Sequence, residues 1–131
     1  MKGYKSENIR NIALVGHGGS GKTTFLEAAL LATGAISRLG KVEDGNTVSD
    51  YDKMEIEKGY SISTSVIPVE YNKVKINFVD TPGFFDFVGE VEEAVSVADA
   101  AIIVVSGKAG VEVGTEKAWE LCDKYDLPRM V

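Results

Sequence analysis

Cysteine, histidine and proline are scarce in this chain of 131 residues, which carries one, one and three of them. With Cys122 as the only cysteine, no intrachain disulfide can form, and nothing points to an oxidising compartment. Cys122 falls in a helical pattern and reads as a small packed residue. Long apolar runs are missing as well. The run behind the polar segment Met1 to Asn11 is too short for a secretory h-region or a membrane span, so no membrane is expected and the cytoplasm is the expected compartment. Basic side chains are in the minority, 14 against 20 acidic ones, for a net charge of −6. Phosphate neutralisation needs clustered Lys and Arg, which argues against direct nucleic-acid binding by this acidic domain alone. The remainder, 44% hydrophobic and 26% charged, describes one globular domain with a core.

Glycine, by contrast, is plentiful and concentrated. The stretch Gly16-His17-Gly18-Gly19-Ser20-Gly21-Lys22-Thr23 matches G-x-x-x-x-G-K-[ST], and its glycines free the backbone to turn N–H groups inward as an anion cradle. Ile9 to Val15 leads into it as a strand and Lys22 to Leu31 leads out as a helix that Gly34 stops, which is the context the motif requires. The competing reading is a Gly-rich turn in an ordinary α/β domain. On the functional reading, N–H groups from Gly18 to Thr24 hold the α- and β-phosphates, aided by the positive end of the helix. Lys22 reaches the β- and γ-phosphates, the Thr23 hydroxyl ligates magnesium, and Thr24 is a further phosphate contact.

The rest of the chain is ordered around that loop. Residues 35–65 form a polar, acidic stretch with little core material and a weak helical hint from Asp50 to Lys58, which reads as a mobile functional segment. Val66 to Tyr71 and Val74 to Val79 read as strands joined by Asn72-Lys73 in a tight hairpin. A helix from Val88 to Ala98 carries Val88, Val91, Ala94, Val95 and Ala98 on one stripe. Ala100 to Val105 is a buried strand, and a helix from Gly114 to Tyr125 turns Ala118, Leu121, Cys122 and Tyr125 toward the core. Pro128 restarts the chain in an extended conformation. The expected fold class is α/β: a P-loop NTPase with a doubly wound, mostly parallel sheet, one antiparallel strand, and the nucleotide at the carboxyl ends of the strands.

The second strand of the hairpin delivers Asp80, followed by Thr81-Pro82-Gly83. A turn alone would explain Asp-x-Pro-Gly. Downstream of a phosphate loop, Asp80 reads as the magnesium-side aspartate, and Gly83 as an N–H donor to the γ-phosphate in a segment that orders or relaxes with nucleotide state.

Gly16 to Thr24, the stretch from Asp50-Tyr51 to Ser61-Ile62, and Asp80-Thr81-Pro82-Gly83 with Asp86-Phe87 together resemble the first three GTPase motifs of translation factors of the elongation factor G type. The tail from Lys124 to Arg129 is similar to what precedes the guanine-reading Asn-Lys-x-Asp of that family. The resemblance implies a partial GTP-binding domain over residues 1–131, with a first switch at about 35–65 and a second at about 80–90. It implies GTP or GDP with Mg2+ as cofactors, Thr23, Ser61 and Asp80 at the metal, and the ribosome as partner of the complete protein.

Three departures from the family pattern stand out. Gly19 replaces an aspartate of the loop, and Ser61 stands where the family has Thr, a change a serine oxygen tolerates. Phe84 stands where the family has His, and it can neither orient nor deprotonate an attacking water. Binding survives that change more easily than hydrolysis. His17 is a candidate substitute base, but the family has a non-catalytic His at this loop position too. Tyr60, Phe84, Phe85 and Phe87 form an aromatic group that reads as packing of the switches. No Asn-Lys-x-Asp occurs, so the chain reads as truncated before its base-reading half. Alternatives are a GTP-holding module with little hydrolysis that selects a partner, and an ATP-using P-loop enzyme, since the phosphate loop does not read the base.

Overall fold

The structure, a computed structural model, describes residues 3–41, 44, 46–48, 64–83 and 88–131. Seven-residue strand β1 (Ile9–Val15) enters the phosphate loop, and α1 (Lys22–Ala32) leaves it. The hairpin strands are β2 (Ser65–Tyr71) and β3 (Val74–Asp80); then come α2 (Val88–Val97), β4 (Ala100–Ile103), α3 (Val113–Lys124) and β5 (Arg129–Met130). This is the expected order of elements. β4 ends two residues earlier than the apolar run suggested, because the chain turns at Ser106, whose carbonyl accepts from Gly110 N–H (2.8 Å).

The sheet order is β2-β3-β1-β4-β5, with β1 in the centre. Its apolar second half, Ile12 to Val15, suits that place: Ala13, Leu14 and Val15 are all fully buried. β1 runs parallel to β3 and β4, β4 is parallel to β5, and only β2 is antiparallel. Asn72 and Lys73, at φ 49° and 66°, make the two-residue hairpin turn whose twist matches the strands it joins.

Helices cover both faces. Leu26 and Leu30 of α1 pack on Leu14, Ile67, Val69 and Phe78. On the other face Val95 of α2 and Ala118 and Cys122 of α3 pack on Ala13, Val15, Ala101 and Ile103. Cys122 is fully buried, as its pattern suggested, and burial pushes its thiol above the ordinary range. Tyr125, expected in the core, is instead exposed: its hydroxyl donates to Glu92 Oε1 (3.0 Å), where its polar end stays wet.

Candidate functional site

Register brings the site together. In the β1–β3 pairing Leu14 lies opposite Asp80, so the aspartate arrives at the carboxyl end of the sheet one residue-pair short of the loop. Thr81 fixes the exit: its hydroxyl and its N–H both donate to the Leu14 carbonyl, at 2.6 and 3.3 Å. Sequence reading gave Thr81 no role; it is a buried clasp between β3 and β1.

The loop itself turns at Gly16, Gly19 and Gly21, with φ of 145°, 77° and 101°, values L side chains rarely adopt. His17 closes it by accepting from Ser20 N–H (3.2 Å). The ladder of α1 opens where Phe25 N–H donates to Gly21 (2.8 Å), which leaves the first-turn N–H groups of Lys22, Thr23 and Thr24 directed out of the helix's amino end. Thr24 is exposed there.

Lys22 is buried at 7% exposure, and its Nζ donates back to the Gly16 and His17 carbonyls at 3.1 and 3.0 Å. Burial pushes its ammonium below the ordinary lysine range, and the Asp80 carboxylate pulls it part of the way back. Thr23 Oγ1 donates to Asp80 Oδ2 at 3.1 Å, so a hydroxyl and a carboxylate 57 residues apart in sequence stand together. Ser20 Oγ is buried with no hydrogen-bond partner among the described residues. Gly83 packs so closely on the loop that a Cβ there would lie 2.6 Å from Gly18 N. Inward N–H groups, a buried cation, a hydroxyl awaiting a partner and a Thr–Asp oxygen pair fit a magnesium-bound polyphosphate.

His17 does not face that cradle as a base would. Its Nδ1 accepts from Gly114 N–H (3.1 Å) at the start of α3, and its Nε2 lies 3.6 Å from Glu112 Oε1. Ser61, Tyr60, Phe84, Phe85 and Phe87 lie outside the described residues. Sequence reading also missed Glu27. This α1 carboxylate, 1% exposed, accepts from Gly40 N–H (2.9 Å) and Val48 N–H (2.6 Å) and so holds the chain that follows α1 against the helix. Its one available signal was a lone charge inside the apolar run Phe25 to Leu31.

A parallel α/β sheet with a phosphate loop after its central strand, and an aspartate at the end of the neighbouring one, defines a P-loop nucleotide-binding domain. The profile of the elongation factor Tu GTP binding domain matches residues 7–131, and the chain belongs to that family. Guanine nucleotide is accordingly its ligand class. Over 123 residues the chain is 42% identical to an elongation factor G-like protein of Mycobacterium tuberculosis, an alignment covering 94% of this chain and 17% of that protein. It is 44% identical over 131 residues to the mitochondrial ribosome-releasing factor 2 of Drosophila grimshawi, covering 100% of this chain and 18% of the relative. The chain thus spans less than a fifth of the length of these curated relatives. A crystal structure from Thermus thermophilus superposes with a TM-score of 0.90 at 48% identity, over 94% of this chain and 19% of that one. A bacterial selenocysteine-specific elongation factor, at 20% identity and a TM-score of 0.71 over 90% of this chain and 18% of that one, shares the fold. Among the described residues no helix is long and apolar enough to cross a membrane.

Proposed function

We propose that this domain is the nucleotide-driven part of a GTP-dependent conformational switch that acts on the ribosome during protein synthesis. The observation that carries the reading is the Thr23–Asp80 pair at 3.1 Å beside buried Lys22, at the carboxyl ends of β1 and β3. Relatives named as elongation factor G-like protein and ribosome-releasing factor 2 support the ribosome as the partner. In this reading Gly16, His17, Gly18, Gly19, Ser20 and Gly21 wrap the phosphates, with Thr24 at the helix end. Lys22 sets its positive charge against the β- and γ-phosphates, and Gly83 offers its N–H to the γ-phosphate.

Thr23 and Asp80 would hold Mg2+, with Ser61 added from the first switch. The ion would neutralise charge on the β- and γ-oxygens. Residues 35–65 act as the first switch and 80–90 as the second, and the cytoplasm is the compartment.

The test is GTP turnover by the protein that carries this domain, with and without ribosomes. Ribosomes should stimulate turnover at least tenfold, about 1.4 kcal/mol off the barrier. No stimulation, together with no ribosome co-sedimentation in the presence of a non-hydrolysable GTP analogue, would sink the reading. Phe84 favours a second reading, in which GTP is held with little hydrolysis and the switches select a partner. Phe84→His separates the two: a large gain in turnover supports the holding module, and no gain means that the attacking water is placed by another group.

A further inference from the structure

We propose that Gly114 and Glu112, at the amino end of α3, are positioning residues for the phosphate loop, acting through His17. The seating of α3 and the hold on the nucleotide's phosphates then depend on each other. The inference rests on residues 16–23 being the phosphate site.

His17 has two sides. Its backbone carbonyl accepts from Ser20 N–H (3.2 Å) and from Lys22 Nζ (3.0 Å), so a shift of His17 carries the lysine ammonium with it. Its imidazole points the other way, where Nδ1 accepts from Gly114 N–H at 3.1 Å across 97 residues of sequence. A neutral imidazole that accepts at Nδ1 carries its hydrogen on Nε2, which lies 3.6 Å from Glu112 Oε1.

Glu112 is fixed in turn. Its N–H donates to the Thr115 hydroxyl (3.2 Å), and its backbone carbonyl accepts from the Thr115 N–H (2.9 Å). The first turn of α3 therefore has one N–H satisfied by its own cap and one by a residue of the phosphate loop. The fit at Gly114 leaves no room for a side chain, since a Cβ there would come within 2.7 Å of both His17 Cα and Nδ1. Gly16, Gly83 and Gly114 line one hollow of about 290 Å³, so both parts of the nucleotide site share a wall with α3. At its far end α3 reaches α2, where Lys124 Nζ and the Tyr125 hydroxyl both meet Glu92. A displacement at His17 thus has a continuous path of contacts to α2.

The experiment, made in the protein that carries this domain, compares His17→Ala, His17→Asn, His17→Gln and Gly114→Ala with the unaltered protein. It measures amide exchange at Gly114 without nucleotide, then GDP affinity by calorimetry with magnesium. Asn places a carbonyl oxygen where imidazole carries Nδ1, while Gln carries its own one bond further out. The expected result is Gly114 exchange about tenfold faster in the Ala and Gln variants and near its original rate in the Asn variant, with GDP affinity following the same ranking. Gly114→Ala should weaken GDP binding with His17 intact.

Unchanged Gly114 exchange in His17→Ala overturns the contact. Restored exchange in His17→Asn without restored GDP affinity overturns the positioning role and makes His17 a direct nucleotide contact. Unchanged GDP affinity in Gly114→Ala overturns the coupling. If the unaltered protein that carries this domain takes up no GDP, the reading of residues 16–23 fails and the coupling with it, whereas the exchange comparison decides the His17–Gly114 contact by itself.

Discussion

The two faces of the sheet are built from different side chains. Against α1 the buried cluster is Leu14, Leu26, Leu30, Ile67, Val69 and Phe78; against α2 and α3 it includes Ala13, Ala101, Ala118 and Cys122. One helix covers the first face, and long side chains fill the space beneath it. Two helices share the second, where Ala13, Ala101, Ala118 and Cys122 sit among Val15, Val95, Ile103 and Leu127. Each face also carries a polar tie to a neighbouring segment. From the α1 side, Glu27 holds Gly40 and Val48; from the α3 side, Gly114 holds His17. The difference teaches that the two faces are packed from unlike sets, long side chains beneath α1 and a larger share of small ones beneath α2 and α3.

The comparison can be broken by volume. Leu26→Ala should open a cavity on the α1 face and cost about 2–5 kcal/mol, read from the denaturant midpoint at unchanged slope. Ala118→Leu should fail for the opposite reason, too much volume between α3 and β4, at about 1–3 kcal/mol. If Ala118→Leu were neutral, or Leu26→Ala the cheaper change, the two faces would not differ as described. The smallest effect is expected from Glu27→Ala, about 1–2 kcal/mol, because the Gly40 and Val48 N–H groups lose a carboxylate but can turn to water. Faster amide exchange confined to those two positions would sharpen the picture. Unchanged exchange there would remove Glu27 from it.

Most of this arrangement was legible before any coordinates. The phosphate loop, the Asn72-Lys73 turn, the Gly34 stop and the stripe holding Val91, Ala94 and Val95 depend on residues within a few positions of one another, and sequence displays such neighbours directly. The pairing of Thr23 with Asp80 was legible at one remove, since two motifs of known geometry imply it. Glu27 was not read, although a carboxylate among Phe25, Leu26, Ala28 and Leu30 was an anomaly on the page. Tyr125 was read wrongly, because helical periodicity places a residue on a stripe without saying where the stripe's edge meets water.

By itself, then, the sequence determined the local structure: where the glycine-rich loop lies between β1 and α1, which strand delivers Asp80, and the family to which they belong. Tertiary structure alone decided that β1 lies between β3 and β4, that His17 turns from the phosphates toward Gly114, and that Glu27 reaches Gly40 and Val48. The physical reason is one of range. A turn or a helix end is selected by the conformational preferences of adjacent residues, whereas a hydrogen bond spanning 97 positions exists only after two packed faces have brought its ends together.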